Sequence, residues 1–350
     1  MRGFRVPAIA FNNNAVDRRT GDGYTHRSSV YNAPMNGKPV QSAAGGVVLI
    51  LLTLLGWSSV PLFLKYLTPY IDAWTANGWR YGISALFWAP VLVWGAWNRT
   101  LPTGLWRAAL VPSLFNFAAQ VCFSFAPYYI NPGLITFLLR LQIVFVALGA
   151  YILFPAERPV LRSPTYFLGV VIVFGGLLGL CFLGETLPRG ATALGVGLAI
   201  TAGVLYGGYA LAVRRYVHGI NAVVSFATIS LYTAIGVVSV MLLQGRDHGA
   251  VAWSLTQGQF AMLLASAFVG IAITHVTYYA AITRIGVALS AGVILLQPFI
   301  TSTCSYFMFD ERLTLGQWLS GLTAMIGAII MLNTQRRLTR LALREKNGLP

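Results

Sequence analysis

Residues 131–158 read NPGLITFLLRLQIVFVALGAYILFPAER, and residues 286–312 read GVALSAGVILLQPFITSTCSYFMFDER. Both carry Leu-Gln near the middle, at Leu141-Gln142 and Leu296-Gln297, and Glu-Arg at the end, at Glu157-Arg158 and Glu311-Arg312. Between Gln and Glu lie 14 residues in the first copy and 13 in the second. Each stretch is an apolar run long enough to cross a hydrocarbon core, which takes about 20 helical residues. Only the first has a charge in mid-run, Arg140. A duplicated membrane segment made polar at mid-depth in one copy implies transport, with a site near the bilayer centre.

Composition sets the class. Of the 350 residues, 57% are hydrophobic and 9% charged, and the mean hydropathy is +0.69. Soluble domains carry about 25% charged residues, so the chain reads as a polytopic membrane protein. The net charge of +15 sits in short clusters between apolar runs. No basic face interleaved with aromatics exists, which argues against nucleic acid. Cys122, Cys181 and Cys304 lie inside apolar runs without disulfide or metal spacing. Nucleotide loops, hydrolase elbows and zinc motifs are missing, so neither a cofactor nor an enzymatic activity is expected.

The first 43 residues are polar and read as a disordered cytoplasmic tail, not a secretory signal; Met35 is an alternative start. Ten apolar runs follow, at about 45–66, 72–97, 105–126, 131–154, 166–183, 192–213, 222–243, 259–283, 287–309 and 315–334. A basic C-terminal tail occupies 335–350. With the tails and even-numbered connections on one side, that side holds 18 Lys and Arg and the other holds four. By the positive-inside rule both termini are cytoplasmic. Arg80 and Arg140 lie within runs.

The echo extends beyond the opening pair. Gly56-Trp57 through Ile71-Asp72-Ala73 parallels Gly203 through Ile220-Asn221-Ala222 at an offset near 149, and Lys65 falls on Arg214. Gln120 falls on His275 at the offset of 155 that aligns Gln142 with Gln297. The expected fold is an all-α integral membrane protein, with ten transmembrane helices as two inverted five-helix repeats, 44–184 and 191–334. An odd number of spans inserts the second half upside down relative to the first.

These features resemble the drug/metabolite transporter superfamily, specifically its EamA-type ten-helix permeases. The resemblance is carried by the two five-span halves, Arg80 in Asn77-Gly78-Trp79-Arg80, the two Glu-Arg endings, Gly169 and Gly321. Gln297-Pro298 followed by Asp310 through Thr314 completes it. It covers about residues 45–334. It implies alternating-access movement of small metabolites, often export, through a cavity lined by both halves, in a bacterial inner (plasma) membrane. Arg140 departs from the family pattern, where that position is commonly apolar or small.

Arg140 is the first candidate site residue. A mid-helix arginine costs about 2.5–3.5 kcal/mol on insertion scales, so it must face protein or water, and no carboxylate lies deep in any run. Its planar fork suits a carboxylate or phosphate. Asn116 and Gln120 share a face of the third run, and His275, Tyr278 and Tyr279 one of the eighth. With Trp57 and Tyr206 as walls, these are the expected substrate contacts. Arg80, Gln142, Gln297 and Pro298 are expected to be structural or gating. The partners expected are a small anionic or zwitterionic metabolite, such as an amino acid, and the lipid bilayer; a homodimer is left open. The competing reading is a non-transporting accessory protein, for example a subunit of a lipid-linked sugar flippase.

Overall fold

A computed structural model describes residues 43–154, 158–184, 190–285 and 287–346. The tail expected before the first helix, Glu157 and Glu185 lie outside the described residues. Among the described residues ten long helices follow one another: α1 (Ala43–Leu67), α2 (Ala73–Trp97), α3 (Leu105–Tyr128), α4 (Pro132–Leu153) and α5 (Pro164–Phe182), then α6 (Gly190–Tyr216), α7 (Ala222–Gln244), α8 (Gln257–Ile282), α9 (Leu289–Phe309) and α10 (Leu315–Lys346). Among the described residues, nine are long and apolar enough to cross a membrane. The other is α2, as long as α1 at 25 residues, but with five tryptophans, Asn77 and Arg80 diluting its hydropathy. Its Leu86, Val93, Trp94 and Trp97 are exposed while Asn77, Arg80 and Ser84 are buried. It therefore has an apolar outer face and a polar inner one.

That inversion of polarity holds throughout. Leu243, Phe307, Ile152 and Leu315 face outward, whereas Thr53, Asn116, Thr136, Thr233 and Thr301 are buried. A water-soluble protein could not expose so much contiguous apolar surface; acyl chains are its natural solvent. The protein is integral to a membrane.

Helix starts are fixed locally. Asp72 caps α2 by accepting the Thr75 N–H at 3.0 Å, and its counterpart in the second half, Asn221, caps α7 by accepting from Val223 and Val224. Thr256 with Gln259 and Thr314 with Gln317 form reciprocal capping boxes on α8 and α10. Helix α10 runs well past the apolar stretch, so the basic tail expected from residue 335 is helical through Lys346.

Packing between the helices obeys a two-fold exchange of α1–α5 with α6–α10. Helices α5 and α10, α2 and α7, and α4 and α9 pair with their own counterparts. The α3–α6 contact is answered by α1–α8, α4–α6 by α1–α9, and α3–α7 by α2–α8. Direction is set at the ends. Lys65 Nζ at the end of α1 lies 3.2 Å from Glu311 Oε1, just past α9, and donates to the Pro127 carbonyl at the end of α3 at 3.3 Å. The Arg214 guanidinium near the end of α6 lies 4.2 Å from the ring centre of Phe154, just past α4. The first and third helices thus finish beside the end of α9, the fourth of the second half, and α4 beside α6, the first of the second half, which is the inverted arrangement.

The α5–α10 contact depends on glycine. A Cβ at Gly176 would lie 2.5 Å from the Ala324 nitrogen, and one at Gly327 would lie 2.7 Å from the Gly169 carbonyl. Backbones approach here as only small residues allow.

Candidate functional site

Two of the ten helices are interrupted at the Leu-Gln pairs. In α4 a turn of 3-10 helix spans Leu139–Leu141, and in α9 regular helix stops at Ile294 and resumes at Gln297 with Pro298 in its first turn. Both glutamines use their amides across the repeat boundary. Gln297 Nε2 donates to the Trp57 carbonyl on α1 at 2.9 Å, and Gln142 Nε2 donates to the Tyr206 carbonyl on α6 at 3.4 Å. Trp57 and Tyr206 are themselves counterparts at the 149-residue offset. The same bond is made twice, once in each sense of the two-fold. Interrupted helices at a repeat interface are the usual place for a transporter's site.

The symmetry fails beside the first glutamine. Arg140 occupies the break of α4 where the second half has Leu295. Its Nη2 donates to Gln297 Oε1 at 2.6 Å, and its Nε donates to the Thr136 carbonyl at 3.3 Å. The guanidinium therefore joins the two breaks. It is half-buried, and the ion pairs among the described residues do not include it.

Around it stands an aromatic shell. Trp57 packs on Tyr278 with ring centres 4.9 Å apart and edge-on to His275 at 5.4 Å. His275 stacks on Phe226 at 4.5 Å and 14°. Its Nδ1 lies 3.0 Å from the Ile271 carbonyl, which a neutral ring satisfies with the proton on Nδ1. Tyr278 is within electrostatic reach of Arg140, and the phenols of Tyr209 and Tyr279 are hydrogen-bonded. Trp57, Tyr206, Tyr209, His275, Tyr278 and Tyr279 all keep accessible surface although they sit on helices at the repeat interface. Arg140, half-buried like them, lies beside this group.

The third-helix residues differ from each other. Asn116 is buried, and its Nδ2 donates to the Tyr81 hydroxyl at 3.2 Å and to Thr233 Oγ1 at 2.9 Å, tying α3 to α2 and α7. Gln120 is buried with Oε1 unpartnered. Arg80 is 1% exposed, and its Nε and Nη1 have no hydrogen-bond partner. Among the described residues, no group of three or more His, Cys, Asp or Glu could hold a metal ion.

A model of the EamA-like transporter family matches residues 44–183 and again 193–333. The chain belongs to the EamA-like transporter family. No curated protein matches it. Among the solved structures similar in fold is a crystal structure of a protein, with a TM-score of 0.58 and 17% identity over 85% of this chain and 99% of that one. The two family matches coincide with the two halves related by the helix contacts. Membership makes the chain a membrane transporter of small molecules.

Within this EamA-like fold, sequence reading passed over several interior groups. Asn77 is 1% exposed with both amide atoms unpartnered, one turn before Arg80 on α2. Its spacing from Arg80 and Ser84 on one face was the available signal. Tyr81 lies among other aromatics and carries none. The π-helical turn Phe268–Ile273 in α8 also left no mark in the sequence. It ends two residues before His275, and such turns are frequent at functional sites.

Proposed function

We propose that this transporter moves a small anionic or zwitterionic metabolite, an amino acid or related compound, as an exporter or exchanger. One five-helix half rocks against the other, with both termini on the cytoplasmic side. The observation that carries this is Arg140: a guanidinium at a helix break, half-buried among aromatic side chains and held by Gln297 of the opposite repeat. Such a fork offers two parallel donors to a carboxylate. Trp57, Tyr206, Tyr278 and Tyr279 supply apolar walls, and His275 and Gln120 supply orienting hydrogen bonds. Asn116 supports the wall by fixing Tyr81.

Counterflow of radiolabelled amino and carboxylic acids in proteoliposomes tests the reading. Arg140→Ala is expected to abolish transport while the protein still inserts and purifies as a single species. Arg140→Lys, which keeps the charge but not the fork, is expected to retain a minor fraction. Equal transport by all three proteins would refute the clamp.

A further inference from the structure

Arg80, on α2, is the more deeply buried of the two guanidinia. Among the described residues, the ionisable groups within its electrostatic reach are the phenols of Tyr81 and Tyr206. Its Nη2 points toward the π turn of α8, where a Cβ on Gly270 would lie 3.5 Å from Nη2 and 2.7 Å from Val60 on α1. A π turn frees carbonyls that could have capped the guanidinium. Those of Gly270, Ile271 and Ala272 instead accept from Thr274 Oγ1 at 3.0 Å, His275 Nδ1 at 3.0 Å and Trp88 Nε1 at 3.2 Å. Nε and Nη1 of Arg80 are left as donors without acceptors, and one turn away the whole Asn77 amide is unpartnered too. A buried cation and a buried amide donor together ask for an acceptor that carries negative charge. The closeness of Val60 and Gly270 restricts it to a small one.

We propose that Arg80 and Asn77 form a second binding site, for a small monoanion of carboxylate or halide size, between α1, α2 and α8. The site does not require Arg140 to touch substrate. The occupant is either the carboxylate of a transported molecule or a free inorganic anion.

Thermal unfolding of the purified full-length protein, titrated with sodium chloride or formate against gluconate at constant ionic strength, tests it. Wild type and Arg140→Ala are expected to show a saturable rise in midpoint with chloride and formate and none with gluconate. Arg80→Gln is expected to lose the rise. Should Arg80→Gln fail to fold, Asn77→Leu leaves the charge in place and is expected to raise the half-saturating concentration about tenfold, the weight of one hydrogen bond to a charged group. In proteoliposomes, chloride that competes with carboxylate counterflow assigns the site to the substrate, and chloride that stimulates it assigns the site to a free ion. The proposal is overturned if wild type gives no saturable rise, if the rise survives Arg80→Gln with the half-saturating concentration unchanged, or if it vanishes in Arg140→Ala. The last result would move the anion to Arg140 and leave the proposed function standing.

Discussion

Gln297 does two jobs at once, and Gln142 does one. Gln297 accepts a charge-assisted bond from Arg140 at 2.6 Å and donates to the Trp57 carbonyl at 2.9 Å; Gln142 makes only the long bond to Tyr206 at 3.4 Å. Bonds between membrane helices average about 0.6 kcal/mol, while those to charged groups are worth about 1.5–3 kcal/mol. Gln297→Leu is therefore expected to destabilise the protein by about 2–3 kcal/mol and to lower transport, because Arg140 loses its side-chain partner. Gln142→Leu is expected to cost less than about 1 kcal/mol. Denaturation in mixed micelles measures both, and equal losses would mean that the Arg140–Gln297 bond adds little. The repeated Leu-Gln was visible in sequence because it recurs at one offset with the same flanking pattern. That it marks a break in both helices was not visible, since Pro298 follows only one of the glutamines. Arg80 shows the opposite limit: its position could be read, but its unpartnered nitrogens depend on what α1 and α8 bring against it.

Helix α5 tests how far glycine patterns can be read. Gly175 and Gly176 are adjacent and identical in sequence, yet a Cβ at Gly175 would meet nothing within 4 Å, whereas one at Gly176 would strike the backbone of α10. Glycine at this spacing in an apolar helix suggests close packing at each position, which holds for Gly176, Gly169 and Gly179 and not for Gly175. The 100° step between neighbours sends one toward α10 and the other outward, and α5 is too uniformly apolar for its pattern to say which. Gly175→Leu is expected to change stability by less than about 0.5 kcal/mol. Gly176→Leu must push two backbones apart and is expected to cost at least about 2 kcal/mol, in the range of overpacking. Fluorescence-detected size-exclusion chromatography after heating compares them, and similar losses would show that the α5–α10 contact gives way freely. Helix α2 was legible as a run but lacks the hydropathy of the others, because its inner face is built from Asn77, Arg80, Tyr81 and Ser84.

At the scale of the molecule, two-fold exchange of the halves means that whatever closes one end has a counterpart able to close the other. The end where α1, α3 and α9 finish is joined by Lys65, which bridges Glu311 and the Pro127 carbonyl, while Ser305 donates to Glu311 Oε2 at 2.5 Å. Pro127 and Glu311 are 62 and 246 positions from Lys65 in the chain, so it is the tertiary fold that brings them together. The side chains of Lys65 and Glu311 are 26% and 11% exposed, which shields the pair from solvent more than an ordinary surface bridge. It also links helices from different halves, so rocking one half against the other must part it. A protein carrying Lys65→Cys and Glu311→Cys, with Cys122, Cys181 and Cys304 replaced by serine, is expected to lose counterflow when a short bifunctional thiol reagent joins the two positions. A reducible linker should restore it on cleavage. Charge exchange by Lys65→Glu with Glu311→Lys should support more transport than either reversal alone, because the pair is remade with its polarity inverted. If the cross-linked protein exchanges substrate as fast as the cleaved one, this end does not open during transport. The closing contact would then have to be sought where α4 and α6 finish, beside Phe154 and Arg214.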